Sequence, residues 1–315
     1  MKKIGRFLLA LVLLSLLISF LPVCALYFEK DPSICTNAQA IAKLKYKKEE
    51  LFGFVVFGDN HAGLILSDSV ALKLINRINA EDRYNGQGVD QKLPIRFVMS
   101  TGDGTFRSRS WDYRMMNRLR SHLKWPVISA RGNHDDDNNP TLTYFRQYVG
   151  QSQLSFSYGN SYFIVTDDSH GDTTDDQFLW LEGELKKSLS YKHCFVFAHK
   201  SPISSSFLTW YRPEVRSWSY RLMKLLEQYK VYAMFAGHEH MFHQQTYGGV
   251  RYIVTGGAGM IPTIPSSEGG FTNYVVVRVY GDYVDYEVRH VTPPIWEIPL
   301  FAAKDAWFKM KDVIF

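Results

Sequence analysis

At 315 residues, with 46% hydrophobic and 21% charged positions, the chain can bury a large core, and its composition excludes disorder. Its formal charge of +5 falls to +2 if Lys2, Lys3 and Arg6 are lost with an N-terminal segment, so no nucleic-acid partner is expected.

Those three cations precede an uncharged apolar run from Phe7 to Leu21, then Pro22 and the small-residue stretch Val23-Cys24-Ala25. This is the layout of a secretory signal, residues 1–25, cleaved after Ala25. Retention as a membrane anchor is the alternative, because Phe7 to Tyr27 just reaches the roughly 20 residues that span a bilayer. Pro22 and the short run favour cleavage, and the bulky Val23 argues against a lipid-modified Cys24. The chain is expected to be exported, whether periplasmic, extracellular or anchored at the cell surface, and to touch a membrane only if the segment stays. Cys35 and Cys194 then remain, enough for one bridge and too few for a disulfide framework. Cys194, inside HCFVFAH, reads as a small buried hydrophobe.

After a polar linker ending near Glu50, short apolar runs alternate with segments of helical period. The runs are FGFVVF, IRFVMS, PVISA, SYFIV, CFVFA and VYAMFA; the helical periods cover residues 67–82, 111–124, 174–189 and 213–229. In the second of these, Arg114, Arg118, Arg120 and Lys124 read as a solvated face, with an anion-binding cleft as the alternative. Beyond residue 240 two hairpins are expected, about Gly248-Gly249 and Gly281-Asp282. The pattern predicts a four-layer α/β/β/α sandwich, two mixed sheets face to face with helices outside, forming one domain over residues 45–292. The aromatic-rich extension, residues 293–315, is expected to pack back on the body as a closing helix.

Five of the apolar runs end on metal-binding residues: FGFVVFGDNH, IRFVMSTGD, PVISARGNH, CFVFAH and VYAMFAGHEH. Sites in α/β sheets gather at the carboxyl ends of strands, so these endings can converge. Asp59, His61, Asp103, Asn133, His199, His238 and His240 form a mixed oxygen and nitrogen donor set suited to manganese, iron or zinc, without the thiolates of a structural zinc knuckle. Seven donors exceed one tetrahedral ion and suit two ions sharing a carboxylate. Asp59/His61 and His238/His240, two apart, would point to one side in extended backbone. Gly58, Gly102, Gly132 and Gly237 would let each strand end turn sharply.

The ordered set DNH, GDG, GNHD, FAHKSP and GHEH, with TGGAG at 255–259, resembles the calcineurin-like metallophosphoesterases over residues 54–259. The resemblance implies that Asp59, His61 and His240 hold one metal, that Asn133, His199 and His238 hold the second, and that Asp103 bridges them. It implies that His134 acts on substrate and not on metal, so Asp103 and His134 are the catalytic residues expected. The activity implied is hydrolysis of a phosphate ester by a metal-bridging hydroxide, with two divalent ions, manganese favoured, and phosphomonoesters favoured over diesters. Two such ions bring four positive charges against three from two carboxylates and a hydroxide, leaving one to receive phosphate. Asn133, Arg107 and Arg109 are candidate substrate contacts. KSPISSSFLTWYRPEV, after His199, reads either as a substrate-facing loop or as a surface loop packed by its aromatics.

Phe106 departs from the pattern. Three residues after the bridging aspartate, the Ser/Thr phosphatase branch carries an acid that orients the catalytic histidine, and purple acid phosphatases carry an iron-binding tyrosine. Either another acid, with Asp135 the candidate, supports His134, or the role of His134 is weaker than the resemblance implies. Asp167 and Asp168 read as caps of the turn after SYFIVT, with support of the site as the alternative. An inactive envelope scaffold of the same fold is the alternative function, opposed by the presence of every ligand. With Phe106 at the tyrosine's place, iron-loaded protein is expected to lack a visible tyrosinate band; an absorption spectrum showing one would mean that another tyrosine reaches the metal.

Overall fold

A computed structural model describes residues 14, 21–44, 48–81, 93–136, 141–170, 173–203, 217–262, 264–293, 302 and 305. Strands β1 (Leu51–Phe57), β2 (Ile95–Ser100) and β3 (Val127–Ser129) are parallel neighbours, and the antiparallel pair β10 (Asn273–Tyr280) and β11 (Tyr283–His290) completes a sheet of order β11-β10-β1-β2-β3. The second sheet has order β4-β5-β6-β7-β9-β8, from β4 (Leu154–Tyr158), β5 (Ser161–Val165), β6 (His193–Phe197), β7 (Ala233–Ala236), β8 (Phe242–Tyr247) and β9 (Val250–Thr255). Here β5, β6, β7 and β9 are parallel, and β4 and β8 are antiparallel edges.

The inner faces meet through aromatic side chains. Phe52, Phe54, Phe97, Phe163, Phe195, Phe197 and Phe235 are buried in one cluster with Val56, Met99 and Ile128. Phe54 stacks on Phe97 at 5.3 Å between centroids and meets Phe163 and Phe195 edge-on at 5.4 and 5.2 Å. Such contacts add to the area term and hold the sheets rigidly against each other. The two parallel strand sets therefore end in a shared, stiff rim.

Helices cover the outer faces. α1 (Asn37–Ala42) is the first of the chain's named helices; α2 (Ile65–Ile78) and α3 (Ser110–Ser121) pack on the first sheet, through Leu74, Ile75, Ile78, Met115, Met116 and Leu119. After the short α4 (Thr143–Tyr148), α5 (Asp175–Ser188) and α6 (Ser217–Gln228) cover the second sheet through Phe178, Leu181, Leu185, Leu222 and Leu226. The expected four layers are present. α5 starts on a capping box from Thr174 and Gln177 and carries acids in its first turn and lysines in its last, which match its dipole.

Several local expectations change. The polar linker contains α1, capped by Thr36, whose Asn37 exchanges two hydrogen bonds of 2.9 Å with the main chain of Ser129 on β3. The β4–β5 hairpin, turning at Gly159-Asn160, went unread although LSFSYGNSYFIV carries a turn dipeptide between alternating residues. Arg118 and Arg120 belong to neither a solvated face nor an anion cleft: both are withdrawn from solvent, Arg118 against Asp31 and Arg120 against Ser129. α3 lies flat on a sheet and under an N-terminal strap, so three of its sides are covered. Cys24, Cys35 and Cys194 are unpaired, and burial pushes the Cys194 thiol up to about 11. Most of the C-terminal extension lies outside the described residues; Asp305 accepts a hydrogen bond from the Ser266 amide at 3.0 Å.

Phe54 contacts both sheets, so Phe54→Ala is expected to cost about 3–5 kcal/mol of unfolding free energy in a denaturant titration. A cost below about 1 kcal/mol would mean that the inter-sheet core repacks.

Candidate metal centre

β1, β2, β6 and β7 run parallel within their sheets and end at the same rim, and the turns after them deliver Asp59 and His61, Asp103, His199, and His238 and His240. Each turn departs from regular backbone. Among the described residues, seven non-glycine positions have positive φ, and four are Asp59 (64°), His61 (44°), Asp103 (49°) and His238 (68°). The paired ligands thus converge through left-handed backbone, not through the extended alternation that their spacing suggested. Left-handed non-glycine residues carry strain of order 1–3 kcal/mol, which concentrates at functional sites.

The glycines serve a different purpose from the one expected of most of them. Gly102 does turn with φ 99°, but a Cβ on Gly132 would lie 2.1 Å from Asp103 Oδ1, and one on Gly237 would lie 2.2 Å from Asp59 Oδ2. These two positions are glycine because a ligand carboxylate occupies the space.

The donors form two clusters. In one, His61 Nε2 lies 3.1 Å from His240 Nε2, and His240 Nε2 lies 3.7 Å from Asp59 Oδ1. In the other, His199 Nε2 lies 3.0 Å from Asn133 Oδ1 and 3.2 Å from His238 Nδ1. Asp103 Oδ2 stands between them, 3.7 Å from His61 Nε2 and 3.3 Å from His199 Nε2. Asp59, His61, Asp103 and His199 are all but fully buried, whereas Asn133, His134, His238 and His240 are partly open. The site has a closed floor and one accessible side.

Its electrostatics suit cations. Burial pushes His61, His238 and His240 down to about 3, 2 and 4, so the rings are neutral and carry the lone pairs a metal requires. Burial, reinforced by Asp103 and Asp135, raises Asp59 well above the carboxylate range. Burial acts in the same sense on Asp103, but His199, His61 and His134 outweigh it and hold that carboxyl below its usual range. Burial opposes a charge on His199, yet Asp103, Asp59 and Asp168 lift it to about 10. Without a metal His199 can thus carry a proton toward the two buried acids, and a cation bound there would displace that proton from Nε2. Lone-pair donors facing one another at 3.0–3.7 Å are the arrangement that divalent ions complete.

Hydrogen bonds orient the ligands. His199 donates Nδ1–H to the Thr101 carbonyl at 2.9 Å, which leaves Nε2 toward the cluster. The His238 amide donates to both Asp59 oxygens at 2.9 and 3.0 Å. Asp168 accepts from the amides of His199 and Lys200 at 2.8 and 2.9 Å, so it holds the ligand's turn instead of capping its own. Sequence reading also passed over Arg131, buried between Asp167 (3.1 Å) and Asp136 (3.4 Å), which ties the GNHD turn to the end of β5. The signal was present: a basic residue directly before that turn and acids after SYFIVT.

Among the described residues no carboxylate hydrogen-bonds the His134 ring; Asp103 accepts only its main-chain amide, at 2.8 Å. The His134 Nδ1–H donates to the main-chain carbonyl of Phe106 at 2.9 Å, and the Phe106 ring lies nearly parallel to the imidazole, 6.4 Å away. Asp135 accepts instead from the amides of Gly132 and Thr105, at 2.9 Å each, and so shapes the turn. The missing acid is replaced by a backbone oxygen, which no side-chain pattern could reveal. Arg109 is spent on Asp112, in two contacts of 2.8 and 3.0 Å. Arg107 is exposed and lies 5.1 Å over the Phe106 ring, near His134. Residues 204–216, most of the serine- and aromatic-rich loop, lie outside the described residues.

Residues 52–242 match the family model for calcineurin-like phosphoesterases. The chain is 24% identical over 197 residues to a protein of Vesicomyosocius okutanii subsp. Calyptogena okutanii (strain HA) named "Probable cyclic nucleotide phosphodiesterase", covering 57% of this chain and 82% of that one. It is 31% identical over 192 residues to "Purple acid phosphatase 13" of Arabidopsis thaliana, covering 52% of this chain and only 34% of the plant protein. Among solved structures, GAP50, the anchor in the inner membrane complex of Plasmodium, shares the fold with a TM-score of 0.56 at 15% identity, over 77% of this chain and 85% of that one.

Gly237→Ala is expected to displace Asp59 and lower metal affinity about 10- to 100-fold, measured by metal content after dialysis against a buffered chelator. Gly183→Ala, where nothing lies within 4 Å of the added methyl, should leave metal content unchanged.

Proposed function

The chain belongs to the calcineurin-like phosphoesterases, and we propose that it is an exported hydrolase of phosphate esters working with two divalent ions, manganese favoured. The observation that carries this reading is Asp103 Oδ2, which lies within 3.7 Å of an imidazole of each cluster and so can serve two ions at once. When bound, such a pair would supply the charge that draws phosphate and the activated water that attacks phosphorus.

The chain's own residues supply the rest. Asp59, His61 and His240 would hold one ion, Asn133, His199 and His238 the other. His134, with Nδ1–H fixed on the Phe106 carbonyl, presents Nε2 to hydrogen-bond the ester and assist the leaving oxygen. With its ring held by that carbonyl, His134 works here as a positioned hydrogen-bonding group. Arg107, exposed beside it, is the better placed of the two arginines to meet phosphate oxygens, because Arg109 is occupied by Asp112. One relative is named for diester cleavage and the other for phosphatase activity. Phosphomonoesters remain the favoured class, with no nucleic-acid partner.

The test is hydrolysis of paired aryl phosphate and bis-aryl phosphate substrates by the full chain in detergent with manganese, for wild type, Asp103→Asn and His134→Ala. Both variants are expected to lose about 10²-fold or more in kcat. Only Asp103→Asn should also lose metal. Equal rates in all three proteins would trace the activity to a contaminant and favour a binding scaffold of the same fold.

A further inference from the structure

Residues 26–32 are built into the catalytic body. Leu26 is 1% exposed and belongs to the core cluster under α2 and α3. The buried Arg118 of α3 donates through Nη1 to the carbonyls of Leu26 (3.1 Å) and Tyr27 (2.9 Å) and through Nε to Asp31 (2.8 Å). Asn117 donates to the Pro32 carbonyl at 2.9 Å, and Tyr27 packs on Trp111 at 5.6 Å between ring centroids. Tyr27 also donates its hydroxyl to Asp68 at 2.6 Å, and Asp68 accepts the Gly63 amide at 3.1 Å, two residues beyond the ligand His61. The strap thus reaches from α3 to the turn that carries the first metal ligands.

This arrangement conflicts with cleavage after Ala25. The cut would create an α-ammonium, with an ordinary pKa of about 7.7–8.0, on the residue whose carbonyl accepts from the Arg118 guanidinium, setting two cations close together. It would also remove Val23, which is 1% exposed, from its packing.

Residues 21–28 are helical, and the helix is apolar on both faces. Val23 and Leu26 face the protein, whereas Leu21 (55% exposed) and Phe28 (89%) face outward. A helix apolar all round is stable only when both sides are covered. The uncharged sequence from Phe7 to Leu21, entered by Lys2, Lys3 and Arg6, identifies the second cover as lipid. We infer that the N-terminal segment is retained as a membrane anchor and that the strap 26–32 fixes the catalytic body, metal-ligand turn included, against the bilayer surface. Among the described residues no helix is long and apolar enough to cross a membrane, so the apolar sequence before Leu21 would have to supply the insertion.

The inference does not depend on the chemistry of the site, and its test reads no activity. The full chain with a C-terminal tag would be expressed in a secretory host, extracted with alkaline carbonate and weighed by intact mass spectrometry. The expected result is the complete chain in the carbonate-resistant membrane pellet. A soluble chain beginning at Leu26, or a lipid-modified chain beginning at Cys24, would overturn the inference. In a second measurement, a chain made to begin at Leu26 is expected to melt below the full chain in the same detergent; equal melting temperatures would show that the fold has no use for the bond between Ala25 and Leu26.

Discussion

Two carboxylates, Asp59 and Asp103, are withdrawn from water at one point where two sheets end, with a single protonated histidine to balance them. An uncompensated buried charge is among the costliest features a protein can contain. Here the main-chain amides of His134 and His238 donate to the acids at 2.8–3.0 Å and imidazoles stand 3.3–3.7 Å from them, an arrangement that cations complete. Around this centre, the left-handed turns, the collision-avoiding glycines and the buried ion pairs of Arg131 all keep those groups from moving apart.

That rigidity originates in the core. The phenylalanine cluster between the sheets fixes the relative position of strand ends that come from opposite halves of the chain. Asp59, Asp103 and Asn133 follow strands of one sheet while His199, His238 and His240 follow strands of the other, so a shear of the sheets would pull each cluster apart. Interiors packed at crystal-like density resist such a shear, and strain at the turns can therefore be held. Ala258, in the glycine-rich stretch after β9, adds a direct tie by donating its amide to the Gly58 carbonyl at 3.1 Å.

His134 shows how the same chemistry can be supported in a different way. A carbonyl in place of a carboxylate still selects the tautomer and ring orientation, because orientation needs only an acceptor at the right place. It gives up the charge that would stabilise an imidazolium. The Phe106 ring lies nearly parallel to the imidazole, and Arg107 lies over that ring.

The sequence by itself determined the layers, most strand and helix cores, the two C-terminal hairpins and which polar side chains would meet at the strand ends, because hydrophobic period, turn dipeptides and ordered strand endings are local and additive signals. The β4–β5 hairpin was equally local and was simply not read. What only the tertiary structure decided are relations between distant main-chain atoms: Phe106 O holding His134, Asp168 holding the His199 turn, Asp135 shaping its own turn instead of supporting the His134 ring, and Arg118 clasping the carbonyls of Leu26 and Tyr27. A carbonyl belongs to every residue and leaves no mark on composition or spacing. Which one faces a given side chain is set by how the two sheets and their covering helices pack.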